Sequence, residues 1–329
     1  MQPPLTSPFR IGDVEISNRV LLAPLAGIGN WFVRLQARRH GAGLAVSEMV
    51  SSFGLHYRNE RTLRDLLRLH PDEHPVSVQL FGQDPAVMRS AAEIVADAGA
   101  DIIDINMGCP VRKVCKTGAG AALLADPDLA VRIATAARDG GRGRPVTVKL
   151  RSGLARGGRE GFDLAQRLAE EGGVAAIAFH PRSAATQHKG SPDYGLAREL
   201  VDRIPVPLII SGGLDSAEGA RHAYEASRAD AVMIARGSLG NPWIFEELTG
   251  ARRIPPEREE VIAELLWVMD RAEEHLGRER AARYLRKFYP WYLERLEADR
   301  ATTTSFQESD DLDEARALVG QLGRPAVPA

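Results

Sequence analysis

VSVQLFGQDPAVMRSAAEIVADAGADIIDIN, residues 76–106, contains a complete strand–helix–strand unit. Val76–Leu80 and Ile102–Asn106 are short runs apolar enough to be buried on both faces. Pro85–Ala98 between them carries apolar residues at helical spacing behind an Asp-Pro start signal. The same alternation extends in both directions. Val20–Pro24 and Leu44–Ser47 precede the unit as strands, and Val146–Leu150, Ala176–His180, Leu208–Ser211 and Ala231–Ile234 follow it. Pro127–Arg138, Gly161–Glu171 and Ser216–Ser227 are further amphipathic helices. Eight buried strands separated by helices predict an α/β fold, a (β/α)8 TIM barrel, and a span ending near Phe245 suits the roughly 250 residues such a barrel takes. A doubly wound open sheet is the competing arrangement, but no GxGxxG follows the first strand.

The alternation stops at Ile254-Pro255-Pro256. Beyond it only helical stretches remain: Glu260–Leu276, Glu279–Leu296 and Asp313–Leu322. The expected organisation is therefore a barrel over residues 1–250 and a small C-terminal helical bundle over residues 255–323. The tail after Gly323 is short, Pro/Ala-rich and expected to fray. At 44% hydrophobic and 26% charged residues, the composition permits a sizeable core, and a net charge of −2 leaves any basic surface local. Cys109 and Cys115 are the two cysteines, which excludes a disulfide framework and a four-cysteine zinc site. The N-terminal segment has no apolar signal region, and no run reaches the ~18 apolar residues of a membrane span, so a cytoplasmic protein is expected.

Barrel enzymes carry their chemistry at the C-terminal ends of the strands. Those ends hold Pro24-Leu25-Ala26, Ser47-Glu48-Met49, Gln79, Asn106-Met-Gly-Cys109-Pro110, Lys149-x-Arg151, His180-x-Arg182, Ser211-Gly212-Gly213 and Ala235-Arg236-Gly237. Eight polar or glycine-bearing ends in register point to one site. Gly212-Gly213 and Arg236 suit a phosphate, with backbone N–H groups able to approach it and a guanidinium able to pair with it. An isolated Gly-Gly is more readily a tight turn; Ala-Arg-Gly one unit later favours phosphate. Gln79 and Lys149 suit the polar edge of a flavin, the lysine balancing the negative charge of the reduced ring. His180 alone is either a ligand contact or a structural residue. Cys109 is either packing or function; at a strand end, as a thiol of ordinary pKa about 8.5, it suits a proton donor. Cys115, in a basic glycine-rich loop, reads as incidental.

Asp104-Ile-Asn106-Met-Gly-Cys109-Pro110-Val-Arg112-Lys113-Val resembles the signature of the tRNA-dihydrouridine synthase family, in particular its bacterial B-type branch. The resemblance runs along nearly the whole chain, through Asn18-Arg19, Ala23-Pro24-Leu25-Ala26-Gly27, Ser47-Glu48-Met49, Val78-Gln79-Leu80, Val148-Lys149-Leu-Arg151-Ser-Gly153 and Ala235-Arg236-Gly237-x-x-Gly240-x-Pro242-Trp243-Ile-Phe245. It implies an FMN-binding catalytic barrel and a helical domain that holds tRNA. Hydride would pass from reduced FMN to C6 of a uracil, Cys109 would protonate C5, and NADPH would reload the flavin. By position, Pro24, Leu25, Ala26, Gln79, Lys149, His180, Ser211, Gly212, Gly213, Ala235 and Arg236 would contact FMN, while Asn106 and Arg151 would face the uridine. The chain departs from the family in four places: Leu25 where Met is frequent, Ser211-Gly-Gly213 where Asn-Gly-Asp is frequent, Ala235 for Gly, and Phe288 after the basic pair Arg286-Lys287 where His is frequent. tRNA and NADPH are the expected partners; DNA and membrane are not, and a monomer is expected.

The RNA expectation has its own support. Arg278–Arg295 holds six basic residues against two acids, and Arg280, Arg283 and Lys287 at i, i+3 and i+7 predict one basic helix face. A solvated charged face is the competing reading. Arg286 and Lys287 are the candidate tRNA contacts there, and Arg112, Lys113 and Lys116 add a second basic patch beside the Cys109 loop. A target base must leave its stack to reach a flavin. Phe288, Tyr289, Trp291 and Tyr292 read as bundle core. Two rival functions share these features: a flavin-dependent barrel reductase of a free small molecule, resembling dihydroorotate dehydrogenase, and a catalytically silent RNA-binding protein. Activity on free uridine or orotate would mark the first; the intact Cys109, Lys149 and Gly-Gly positions argue against the second.

Overall fold

Eight parallel strands close on themselves, each beginning where a buried β-branched or aliphatic run follows a turn. The computed structural model describes residues 2–322. Its strands are β1 (Phe9–Ile11), β2 (Val14–Ile16), β3 (Val20–Leu22), β4 (Leu44–Val46), β5 (Val50–Ser51), β6 (Val76–Phe81), β7 (Ile102–Met107), β8 (Val146–Arg151), β9 (Ala176–His180), β10 (Leu208–Ser211) and β11 (Ala231–Ile234). The parallel sheet runs β4-β3-β11-β10-β9-β8-β7-β6, and a β4–β6 pairing closes it into the expected (β/α)8 barrel. The short β5 extends the far end of β6, with Val50 beside Leu80.

Helices cover the outside, and the polar residues before them make their first turns. Asp84 accepts from the Val87 N–H ahead of Pro85–Asp97, Asp126 from Leu129 ahead of Pro127–Gly140, and Ser216 from Gly219 ahead of Ala217–Ser227. Each such cap contributes about 1 kcal/mol to its helix.

The β1–β2 hairpin was not foreseen from sequence. Its strands are three residues each, joined by Gly12-Asp13, with Gly12 at φ +59. A Cβ on Gly12 would lie 2.9 Å from Pro145, just before β8. Phe9, Ile11 and Ile16 of the hairpin join Leu21, Leu44, Ile102, Ala176, Ile209 and Ala231, all from the first residues of barrel strands, in one buried cluster. The hairpin thus seals the N-terminal end of the barrel, and apolar burial drives that closure.

Contacts divide the chain into two compact units. The barrel unit comprises the residues up to Gly237 together with Phe245–Ala251; the other comprises Ser238–Ile244 and the residues from Arg252 on. The second unit is helical: Arg258–Leu276, Arg278–Leu285, Tyr289–Arg295, Arg300–Glu308 and Leu312–Leu322. The single helix expected over Glu279–Leu296 is two, because Pro290 occupies the first turn of the second, where it fits, and residues 286–288 form a turn. The helix Arg300–Glu308 was not anticipated. Phe288, Tyr289 and Tyr292 are buried, and the Tyr289 ring packs on Phe306 at 5.0 Å. The tail after Gly323 lies outside the described residues. Among the described residues no helix is long and apolar enough to cross a membrane.

Candidate active site

Side chains of alternate strand residues share a face, and the register stacks them into layers inside the barrel. On β7 the inward series is Ile102, Asp104, Asn106. Ile102 belongs to the apolar cluster over the hairpin. One step up, Asp104 is paired in register with Gln79 on β6 and Thr147 on β8; one step further, Asn106 is paired with Lys149, and above that Arg151 with His180. The interior therefore turns from apolar to polar along the barrel axis, and the polar end is the C-terminal one.

A cavity of about 460 Å³ opens there. Pro24 and Ala26 border it after β3, Gln79 from β6, Asn106 and Cys109 from and after β7, and Lys149 and Arg151 from β8. His180, Ser211, Gly212, Gly213, Ala235 and Arg236 complete the ring of expected residues. Leu25 does not border the cavity; its side chain is buried, 7% exposed, beneath the wall.

The cavity floor is a hydrogen-bonded series. Asp104 Oδ1 accepts from Thr147 Oγ1 at 2.6 Å and Oδ2 from Gln79 Nε2 at 2.6 Å. Gln79 Oε1 accepts from Asn106 Nδ2 at 2.9 Å, and Asn106 Oδ1 accepts from the backbone N–H groups of Gly108 and Cys109 at 3.1 and 2.9 Å. Burial pushes the Asp104 carboxyl up, while its bonds to Thr147 and Gln79 and the nearby Lys149 oppose that shift. Arg151 Nε donates to Gly108 O at 3.0 Å and Nη1 to the carbonyls of Ser183 and Gln187. It thereby joins the Cys109 loop to the loop after β9, and burial, with Arg182 nearby, lowers its pKa to about 10.

Protonation states follow from burial. The Cys109 thiol is pushed up, chiefly by burial and further by Cys115, against the pull of the Val111 backbone, Arg151 and Lys149. It is a neutral S–H at pH 7, able to give a proton. Lys149 makes no hydrogen bond or ion pair among the described residues. Burial first, then Arg151, lowers its pKa to about 8, which leaves it mostly charged at neutral pH. His180 is driven well below the usual histidine range by burial, then Lys149, Arg151 and Arg182, and is neutral. Arg182 Nη1 lies 3.4 Å from His180 Nε2 and can only donate, so His180 carries its proton on Nδ1.

The opposite wall carries consecutive glycines and an unpartnered hydroxyl. Gly212 and Gly213 lie consecutively at φ +96 and +76, and a Cβ on Gly212 would stand 2.3 Å from His180 Nε2. Ser211 Oγ, 2% exposed as a residue, has no hydrogen-bond partner. Arg236, at the end of β11, is exposed.

Some lining residues were not chosen from sequence. Met49 lies 3.8 Å from Asn106 Nδ2, and Gln187, His188 and Asp215 come from loops whose course no periodicity signals. Asp104 stood in the quoted motif, but its partners are set by strand register. Cys115 donates to the Cys109 carbonyl at 3.3 Å, so it is an anchor of the loop. In the helical unit the basic face expected from Arg280, Arg283 and Lys287 is not one helix face. Lys287 lies in the turn, over the Tyr284 ring at 4.7 Å, and Arg283 pairs with Glu279 at 3.1 Å. Arg286 bonds to the Ser309 carbonyl at 3.1 Å and pairs with Asp310 at 2.6 Å, tying the turn to the end of the helix Arg300–Glu308.

The family model described as dihydrouridine synthase matches residues 21–323. The chain is 39% identical to the tRNA-dihydrouridine synthase B of Pseudomonas aeruginosa over 96% of each protein, and 35% identical to that of Shewanella oneidensis over 94% of this chain and 97% of the relative. Among solved structures, morphinone reductase in complex with tetrahydroNAD superposes with a TM-score of 0.52 at 17% identity, covering 79% of this chain and 94% of that one. A 2-naphthoyl-CoA reductase complex gives 0.58 at 14% identity, covering 75% and 52%. These two likenesses are of fold.

Proposed function

The chain belongs to the dihydrouridine synthase family, and on that premise we propose that it reduces uridines of tRNA to 5,6-dihydrouridine in the barrel cavity, using FMN and NADPH. The observation that carries this reading is one cavity that joins a neutral thiol, an unpartnered ammonium and a consecutive-glycine cradle. A small-molecule reductase would share the last two.

The residues present fit FMN. Ser211 Oγ is buried without a partner, Lys149 makes no hydrogen bond or ion pair among the described residues, and Gly212 and Gly213 hold left-handed backbone, with the His180 ring 2.3 Å from where a Gly212 Cβ would stand. Gly212, Gly213 and Arg236 would hold the phosphate, with Ser211, Ala235 and His180 beside it; Gln79 and Lys149 would meet the polar edge of the ring, and Pro24 and Ala26 its face. Bound FMN, reloaded by NADPH, supplies the hydride that adds to C6 of the uracil. Cys109 gives its thiol proton to C5 as the C5–C6 double bond is lost, and the thiolate regains a proton from solvent. Asn106 and Arg151 hold the base, and Val111, 53% exposed at the rim, gives it an apolar edge to pass.

The domain assignment is part of the proposal: the barrel of residues 1–250 binds FMN and the helical part of residues 255–323 holds tRNA. Incubation of the purified protein with NADPH and tRNA lacking dihydrouridine tests the reading. Dihydrouridine in the tRNA supports it, and turnover of free uridine or orotate in its place sinks it.

Two further expectations arise here. Gly212→Ala should lose bound flavin, because the new methyl meets His180 and the left-handed backbone is strained for alanine. A flavin absorbance per chain equal to that of the parent would remove the cradle from the argument. For tRNA, Lys113→Gln combined with Lys287→Gln should flatten the slope of log affinity against log salt by about one to two units. An unchanged slope would show that neither cation meets a phosphate. Arg286 is unsuited to that test, since its loss releases the Ser309 and Asp310 contacts that shape the bundle.

A further inference from the structure

Two side-chain amides lie between Asp104 and the Cys109 loop, and an amide can point either way. The ends of the series remove that freedom. At one end stand the backbone N–H groups of Gly108 and Cys109, which only donate; at the other, Asp104 Oδ2 accepts. With both ends set, Asn106 must turn its oxygen to the loop and its nitrogen to Gln79, and Gln79 must turn its nitrogen to Asp104. Reversing either amide would bring donor against donor. Thr147 adds a reserve at the far end. Its hydroxyl can give or accept, so Oδ2 faces Gln79 as an acceptor whether or not Oδ1 carries a proton.

We propose that Asp104, through Gln79 and Asn106, is the positioning residue that places the Cys109 thiol. It touches neither the cavity space nor Cys109 itself, and is 3% exposed. Its effect passes down a directed series of hydrogen bonds that begins on β7, crosses to β6 and returns to the loop after β7. The same series sets which atoms Gln79 and Asn106 turn to the cavity. The inference rests on the reading of Cys109 as the proton donor of the barrel.

The test uses the full-length flavoprotein with Cys115→Ser, so that Cys109 is the one thiol, and compares Asp104→Ala with Asp104→Asn. The readouts are the alkylation rate of Cys109 by iodoacetamide, the kcat for dihydrouridine formation in tRNA, and flavin absorbance per chain. Asp104→Ala removes the accepting end. Alkylation is expected to rise and kcat to fall, each by about tenfold, the effect of one lost hydrogen bond to a charged group. Asp104→Asn can keep its oxygen toward Gln79 and turn its nitrogen to Thr147, so both rates should stay within about threefold. Cys109 alkylated at the parental rate in Asp104→Ala overturns the proposal. So does equal impairment of the two variants, which would make charge the operative property. Should Asp104→Ala not fold, Asp104→Leu takes its place: it fills the site with a side chain of similar size that has no acceptor for Gln79. The same tenfold changes support the relay, and parental alkylation overturns it. If the Cys115→Ser protein makes no dihydrouridine, the functional reading falls, while the alkylation comparison still decides the relay.

Discussion

Replacing Cys109 by alanine should leave a protein that keeps its flavin and is reduced by NADPH at the parental rate, yet forms dihydrouridine about a hundred- to ten-thousandfold more slowly, the range a positioned general acid supplies. The reasoning begins with protonation. Burial raises the Cys109 thiol above its ordinary value, so at neutral pH it holds the proton that C5 of the uracil requires. A methyl group has no proton to offer, and water in the vacated space has no fixed orientation. The flavin contacts proposed at Gln79, Lys149 and Gly212 lie on other strands, so flavin content is the internal control. Cys115→Ser is the second control. Serine keeps a donor for the Cys109 carbonyl, and the loss should not exceed about threefold, one weak hydrogen bond. Full turnover by Cys109→Ala, or an equal loss in Cys115→Ser, would assign the proton elsewhere.

Lys149→Met should have an effect of comparable size on a different step. Methionine matches the length of lysine without the charge. The rate of flavin reduction by NADPH should fall by about a hundredfold, as when one preorganised donor to a developing negative charge is lost. The flavin midpoint potential, measured by dye equilibration, should move to more negative values. Flavin affinity should also depend on pH. Lys149 in the flavin-free protein has a pKa lowered to about 8 by burial and Arg151. An anionic ligand prefers the protonated lysine, so affinity is greatest below that value and weakens as pH rises through about 8. The Met variant should lack this inflection. A parental potential and an unaltered pH profile in Lys149→Met would exclude the lysine from the ring's polar edge.

How much of this was legible beforehand differs by feature, for physical reasons. The barrel strands declare themselves because burial on both faces demands runs such as Val146–Leu150 and Ala231–Ile234, and the strand ends then locate the cavity residues. The β1–β2 hairpin is three residues a side, each with one polar residue, too short for a period-two pattern to rise above background. Asp104 looked like one more strand residue because a hydrogen-bond direction depends on which neighbours the register supplies. Arg286 read as a surface cation because the Ser309 carbonyl that holds it lies 23 residues further along the chain. The break at residues 286–288 carried a local signal, since Pro290 favours a helix start over a helix interior. Leu25 is the reverse case: its position in a motif suggested a cavity contact, and the lining passes from Pro24 to Ala26 with the Leu25 side chain buried.

The barrel wall is complete only when β11 reaches β3, with Val232 beside Val20, and Gln2 reaches the Ala229 carbonyl 227 residues away in sequence. A ribosome releases the strands one at a time, at about 5–20 residues per second. For a period on the order of tens of seconds, β3 therefore stands ready with one side unpaired. An unfinished parallel sheet of this kind is open to pairing with any neighbouring nascent chain. The hairpin that will seal the floor is already synthesised and waits without its full ring of partners. The closure that creates the catalytic cavity thus also leaves the newborn chain with an open parallel edge until its last barrel strand is made.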